Sequence, residues 1–160
     1  MCAAGKKCAK LYLVRHGAAV PETENPEKPL SDVGRYETIK VAESLRGFMV
    51  LPDEIWHSAR LRTRQTAGLL KDLLRVRKCF EKKNLLPGDD PGKLITELAK
   101  TSKHIMVVSH IPFVEKAAGL LLGGKEESTP VSFDTSSVAC FKRCGGKEWS
   151  LEWLITPDVI

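Results

Sequence analysis

Aromatic residues are few in this chain, 6% of its 160 positions, and histidine is scarce, with four copies. No apolar run approaches the roughly 20 residues that cross a bilayer as a helix, so a helical membrane protein is not expected. The first residues, MCAAGKKCAK, lack the apolar centre of a secretory signal, and cytoplasmic location is the expectation. Nucleotide-binding and nucleophile signatures are missing too. GLLLGGKE (119–126) has the glycine and lysine spacing of a phosphate-binding loop, but Glu126 stands where Ser or Thr should hold magnesium. GDDPGK is one residue short of the same pattern. A cysteine phosphatase needs Cys-x5-Arg, whereas Cys8 and Arg15 are too far apart by one residue. No Gly-x-Ser-x-Gly turn is present.

Five cysteines are there, Cys2, Cys8, Cys79, Cys140 and Cys144, but no CxxC pair. Zinc ligation is therefore not expected, and these read as reduced, structurally incidental thiols. The net charge is +5. The basic residues are scattered apart from RLRTRQTAGLLKDLLRVRKC, so nucleic-acid binding is not expected; a positive surface equally steers an anionic substrate or an acidic partner.

Hydrophobic patterning alternates between strand and helix. KLYLV (10–14) reads as a buried strand, and the Pro-rich stretch 18–30 as a loop. Ser31 is an N-cap for a helix ending near Gly47, its inner face marked by Ile39, Ala42 and Leu45. EIWHS (54–58) reads as a second strand, Leu61 to about Arg75 as a helix, and KCFEKKNLL as holding a third strand. Pro91 opens another helix, HIMVVSH (104–110) is a strong strand, and a helix runs from Pro112 to about Leu122, with Gly123 and Gly124 at its end. SSVACFKR and EWSLEWLI, joined by CGGK, form a hairpin. The fold class is α/β with a mostly parallel mixed sheet, in a single domain over 1–160 whose residues 1–9 are a flexible tail.

Two strands end in histidine, LYLVRH at His16 and IMVVSH at His110, and a third leads within a few residues to Arg62. Ligands of open α/β sheets bind beyond the carboxyl ends of the strands. Arg15, His16, Arg62 and His110 would then converge at one edge. Four cationic or potentially cationic groups are costly to gather unless they hold an anion, and guanidinium suits phosphate. A neutral imidazole there can attack phosphorus, because neighbouring arginines disfavour its protonated form.

These residues resemble the histidine phosphatase superfamily, the phosphoglycerate mutase-like proteins. The resemblance rests on LVRHG (13–17), HSARLRTRQTA (57–67) and VVSHIPFVEKAAGLLLG (107–123), supported by PLSDVG, LLPGDDP and LEWLITP. The short length is most similar to the SixA-type phosphohistidine phosphatases. The resemblance implies a three-layer α/β/α sandwich, phosphoglycerate mutase-like, with no metal or organic cofactor. It implies His16 as the phosphorylated nucleophile and Arg15, Arg62 and His110 as its catalytic partners. Arg15, Gly17, Arg62, Ser109 and His110 would contact substrate. Three departures from the family pattern stand out: His57-Ser58-Ala59 replaces a Ser-Ser-Pro-like run, Ser109 replaces Gly, and Ala18 stands where many relatives have an acid.

Phosphate-ester hydrolysis benefits from a general acid, and none is plainly placed between Arg62 and His110, where Glu81, Asp89 and Asp90 are weak candidates. Phosphohistidine needs less help, since imidazole leaves as a neutral ring when its other nitrogen is protonated. The expected activity is therefore hydrolysis of phosphohistidine on a protein, such as a histidine-phosphotransfer domain. A small-molecule phosphomonoesterase and a catalytically retired phosphoprotein-binding module are the alternatives. A monomer is expected.

Overall fold

The computed structural model describes residues 5–125 and 127–160. Strands and helices follow as β1 (Cys8–Arg15), α1 (Asp32–Gly47), β2 (Glu54–His57), α2 (Leu61–Leu74), β3 (Lys78–Glu81), α3 (Pro91–Leu98), β4 (Ile105–Ser109), α4 (Phe113–Gly123), β5 (Val138–Cys144) and β6 (Ser150–Ile155), with a short 3-10 turn at Pro157–Val159. Among the described residues six strands make one sheet in the order β3-β2-β4-β1-β5-β6. The first four run parallel, and β5 and β6 add antiparallel at one side. The sheet is thus mixed and mostly parallel.

Helices cover both faces, which explains why β1 and β4 are apolar without alternation. Successive side chains still point to opposite sides. Leu11, Leu13, Trp56, Ile105 and Val107 pack with Leu94 and Leu98 of α3 and Phe113, Val114 and Ala117 of α4. Tyr12, Val14, Ile55, Met106 and Val108 pack with Val41, Ala42 and Leu45 of α1 and Ala67, Leu70 and Leu74 of α2. The result is the three-layer α/β/α sandwich. Val41, not Ile39, takes the central place on the inner face of α1; Ile39 is only half-buried.

Local chemistry sets the helix starts. Ser31 Oγ accepts from Gly34 N at 3.1 Å and caps α1, with Asp32 favourably placed in its first turn. Asp90 caps α3 through Gly92 N, and Pro91 occupies its opening turn. Pro112 is the N-cap of α4, one place outside the helix. Gly124 ends α4 in the left-handed conformation (φ 70°), which glycine adopts without a Cβ penalty.

Two expectations are corrected. Strand β1 starts at Cys8, and Ala9 is buried, so 8 and 9 belong to the sheet and not to a tail; residues 1–4 lie outside the described residues, as does Glu126. Cys8 and Cys144 are joined in a disulfide, against the reading of all five thiols as reduced. The antiparallel register of β1 and β5 sets these two residues opposite each other, a juxtaposition that no spacing reveals when 136 positions separate them. Cys79 and Cys140 are free, and Cys2 lies outside the described residues.

Candidate active site

Strand pairing assembles the site. Arg15 and Ser109 end β1 and β4 in register, and His57 of β2 pairs with Val108. The next residue on each strand, His16, His110 and Ser58, therefore emerges at one sheet edge. The main-chain N–H of His16 donates to Ser109 O at 3.0 Å and that of Ser58 to Val108 O at 3.3 Å, so the ladder holds the backbone there.

His16 Nδ1 lies 2.7 Å from the carbonyl oxygen of Gly17. A carbonyl only accepts, so Nδ1 carries the proton and Nε2 keeps its lone pair. Arg62 Nε donates to that Nε2 at 3.2 Å. The His110 ring stands edge-on to His16, their centroids 5.2 Å apart, and its Nε2 shares a 2.7 Å hydrogen bond with Ser58 Oγ. Ser58 Oγ in turn lies 2.8 Å from Thr63 Oγ1. Arg15 Nη1 donates to Phe133 O at 2.7 Å, which fixes the guanidinium. Arg15 Nε and His110 Nδ1 are buried and have no hydrogen-bond partner among the described residues. Burying such groups unpaired is costly, and both are suited to an anion's oxygens.

Both rings are held neutral. Burial pushes His16 down to about 4, and the charges of Arg62, Arg15 and Lys28 add to this against the opposing Gly17 hydrogen bond. Burial lowers His110 to about 3, assisted by His16, Arg62 and Arg60. Desolvation thus outweighs the arginine effect that the sequence suggested. The arginines and lysine that act on the two rings, Arg15, Lys28, Arg60 and Arg62, are all cationic. Arg62 is itself lowered, first by burial and then by Arg60. The site is a positive pocket with an unprotonated imidazole in it, an arrangement that binds a tetrahedral oxyanion and offers it a nucleophile.

The structure thus brings together His16, Arg62 and His110, with Arg15 beside them on β1. Gly17 and Ser109 take different places from those expected. Gly17 N donates to Thr66 Oγ1 at 3.0 Å, so its N–H is committed to the scaffold. A Cβ at Gly17 would lie 2.7 Å from Thr38 Oγ1 and 2.9 Å from Gly34 O, so close packing, not substrate contact, demands glycine. Ser109 Oγ donates to Leu85 O at 2.7 Å, away from the histidines. Of the three acids, Asp89 holds Leu86 N, Asp90 caps α3, and Glu81 is exposed at the end of β3. Sequence reading missed Ser58 as the partner of His110, visible only as a departure from the family pattern. It also missed Lys28, whose loop carries no motif. Among the described residues no group of His, Cys, Asp and Glu is arranged to hold a metal ion, and no helix is long and apolar enough to cross a membrane.

A fold of this order has counterparts. The model of the histidine phosphatase superfamily (branch 1) matches residues 11–85. The chain is similar over 94% of its length to a protein histidine phosphatase SixA solved with tungstate, at 26% identity, 98% of that chain and a TM-score of 0.84. It shares the fold of the SixA-type protein of Agrobacterium tumefaciens (21% identity, 92% of this chain and 97% of that one, TM-score 0.77). It also shares the fold of a phosphoglycerate mutase of Bacillus anthracis (13% identity, 92% of each chain, TM-score 0.69). No curated protein matches it in sequence at a significant level. In sequence and in fold, then, the chain resembles the histidine phosphatase superfamily, and within it the SixA phosphohistidine phosphatases.

Proposed function

We propose that the protein is a phosphatase that hydrolyses phosphohistidine on a protein substrate, with His16 as the nucleophile. The observation that carries this reading is the His16 ring itself: Nδ1 is tied to Gly17 O, while the unprotonated Nε2 faces Arg62 and accepts from its Nε. In the first step His16 Nε2 attacks phosphorus in line. The new P–N bond forms as the substrate's P–N bond breaks, and the substrate imidazole leaves neutral because its second nitrogen is protonated. Water then attacks the phosphorus on His16, releasing inorganic phosphate and restoring the free ring. Arg15, Arg62 and His110 stabilise negative charge on the transferring phosphoryl oxygens.

The P–N bond is favoured over an ester by where the candidate acids lie. An alkoxide leaving group calls for an acid, and Asp89 is held by Leu86 N, Asp90 caps α3 and Glu81 is exposed at the end of β3. Similarity to a SixA protein histidine phosphatase supports the same substrate class. The test compares a phosphohistidine-bearing protein with p-nitrophenyl phosphate, using wild type and His16→Ala. Fast, His16-dependent loss of phosphohistidine with slow ester cleavage is expected. Preferential ester cleavage would make the protein a phosphomonoesterase, and phosphate binding without turnover would make it a binding module.

A further inference from the structure

Beside the catalytic residues a cleft of about 440 Å³ opens between the Pro-rich loop and the start of α2. Its charged lining comprises Lys28, Arg60, Arg62 and Arg64, with Glu22 and Glu27 opposed to them. Arg62 lines the cleft and also donates to His16, so the two share that side chain. Among the described residues no carboxylate comes within 4.0 Å of any of these four cations. Two features make this arrangement costly to the fold. Arg60 stands at the N-cap of α2 and Arg64 in its first turn, where the helix dipole disfavours positive charge. Lys28 adopts the left-handed conformation (φ 49°), which disfavours a residue with a Cβ. The cleft's charge also reaches the chemistry, since Lys28 acts on His16 and Arg60 on His110.

Resting on the function proposed above, we propose that this cleft is a substrate subsite for an acidic segment: the protein substrate presents carboxylates next to its phosphohistidine, and Lys28, Arg60 and Arg64 hold them. Arg62 is the shared wall between phosphoryl group and segment. Arg60 and Arg64 are both exposed, which suits an extended partner better than a small enclosed ligand. Electrostatic selection of this kind acts on encounter and is weakened by salt.

The experiment uses two synthetic peptides with one histidine each, phosphorylated with phosphoramidate. One has Asp and Glu around the histidine; the other has Gln and Ser. The expected kcat/KM ratio of acidic to neutral peptide is about tenfold in dilute salt, and about twofold in 0.5 M NaCl (roughly, from screening of exposed charges). In the triple variant Lys28→Gln/Arg60→Gln/Arg64→Gln the ratio should fall to nearly one; being a ratio, it is insensitive to a general loss of activity. Equal rates for the two peptides, or a preference that survives in the triple variant, would overturn the subsite while leaving the phosphohistidine reading intact. Failure to hydrolyse either peptide would overturn both.

Discussion

Acidification offers a sensitive probe of the nucleophile. His16 is pushed down to about 4 from an ordinary 6.5, chiefly by burial and then by its cationic neighbours. At pH 5 an ordinary imidazole is only about 3% neutral, whereas one with a pKa near 4 is about 90% neutral, a difference of about thirtyfold in usable nucleophile. Nitrogen-detected NMR titration between pH 3.5 and 8 reads this directly, with His16→Gln identifying the signal. The expected result is a His16 ring that keeps its Nδ1–H form from pH 8 to about pH 5. Titration near 6.5 would refute the argument that burial and the pocket's charge hold the ring neutral. Stability follows the same linkage. Because the folded pKa lies below the unfolded one, the unfolded chain binds protons first, so the contribution is whole above about 6.5 and is lost as pH falls towards 4. His110, at about 3, extends the loss to lower pH. Urea midpoints should therefore drop between pH 7 and pH 4.

Three further outcomes can be checked. Ser58→Ala removes the hydroxyl 2.7 Å from His110 Nε2; kcat should fall about tenfold or more with a changed His110 tautomer by NMR, and Ser58→Thr should restore both. Arg62→Ala should cost about 10²–10³ in kcat, on the scale of losing one donor to the transition state, and far more than Arg60→Ala; equal losses would mean that the arginine on His16 Nε2 is not the one that matters. Cys144→Ser should lower the unfolding free energy by roughly 2–4 kcal/mol in chemical denaturation, through the loss of a long closed loop. Its kcat should stay near wild type, because Cys8 and His16 lie at opposite ends of β1; a large loss of activity would contradict that separation.

Much of this architecture is legible in the chain because local rules and tertiary context agree. Ser31, Pro91 and Gly124 mark helix ends by side-chain or backbone chemistry that acts within a few residues. LYLVRH and IMVVSH show where two buried strands stop, and β1 and β4 prove to be neighbours, which is what sets His16 beside His110. What stays hidden depends on register and on side-chain direction. The Cys8–Cys144 bridge needs the β1–β5 pairing, and the turn of Ser109 Oγ towards Leu85 depends on a loop whose path has no pattern. The resemblance implies Gly17 as a substrate contact; the group closest to its missing Cβ is Thr38, from the protein's own core. Burial, the largest influence on both histidines, is a property of the assembled layers and not of any motif.

The central claim is a covalent bond to His16, and the most direct measurement is mass spectrometry of the enzyme quenched in alkali during turnover of a phosphohistidine peptide. The account predicts a phosphoryl group on the peptide that contains His16, acid-labile and absent from His16→Ala. Rapid turnover with no phosphoryl on His16, or with undiminished rate in His16→Ala, would contradict it.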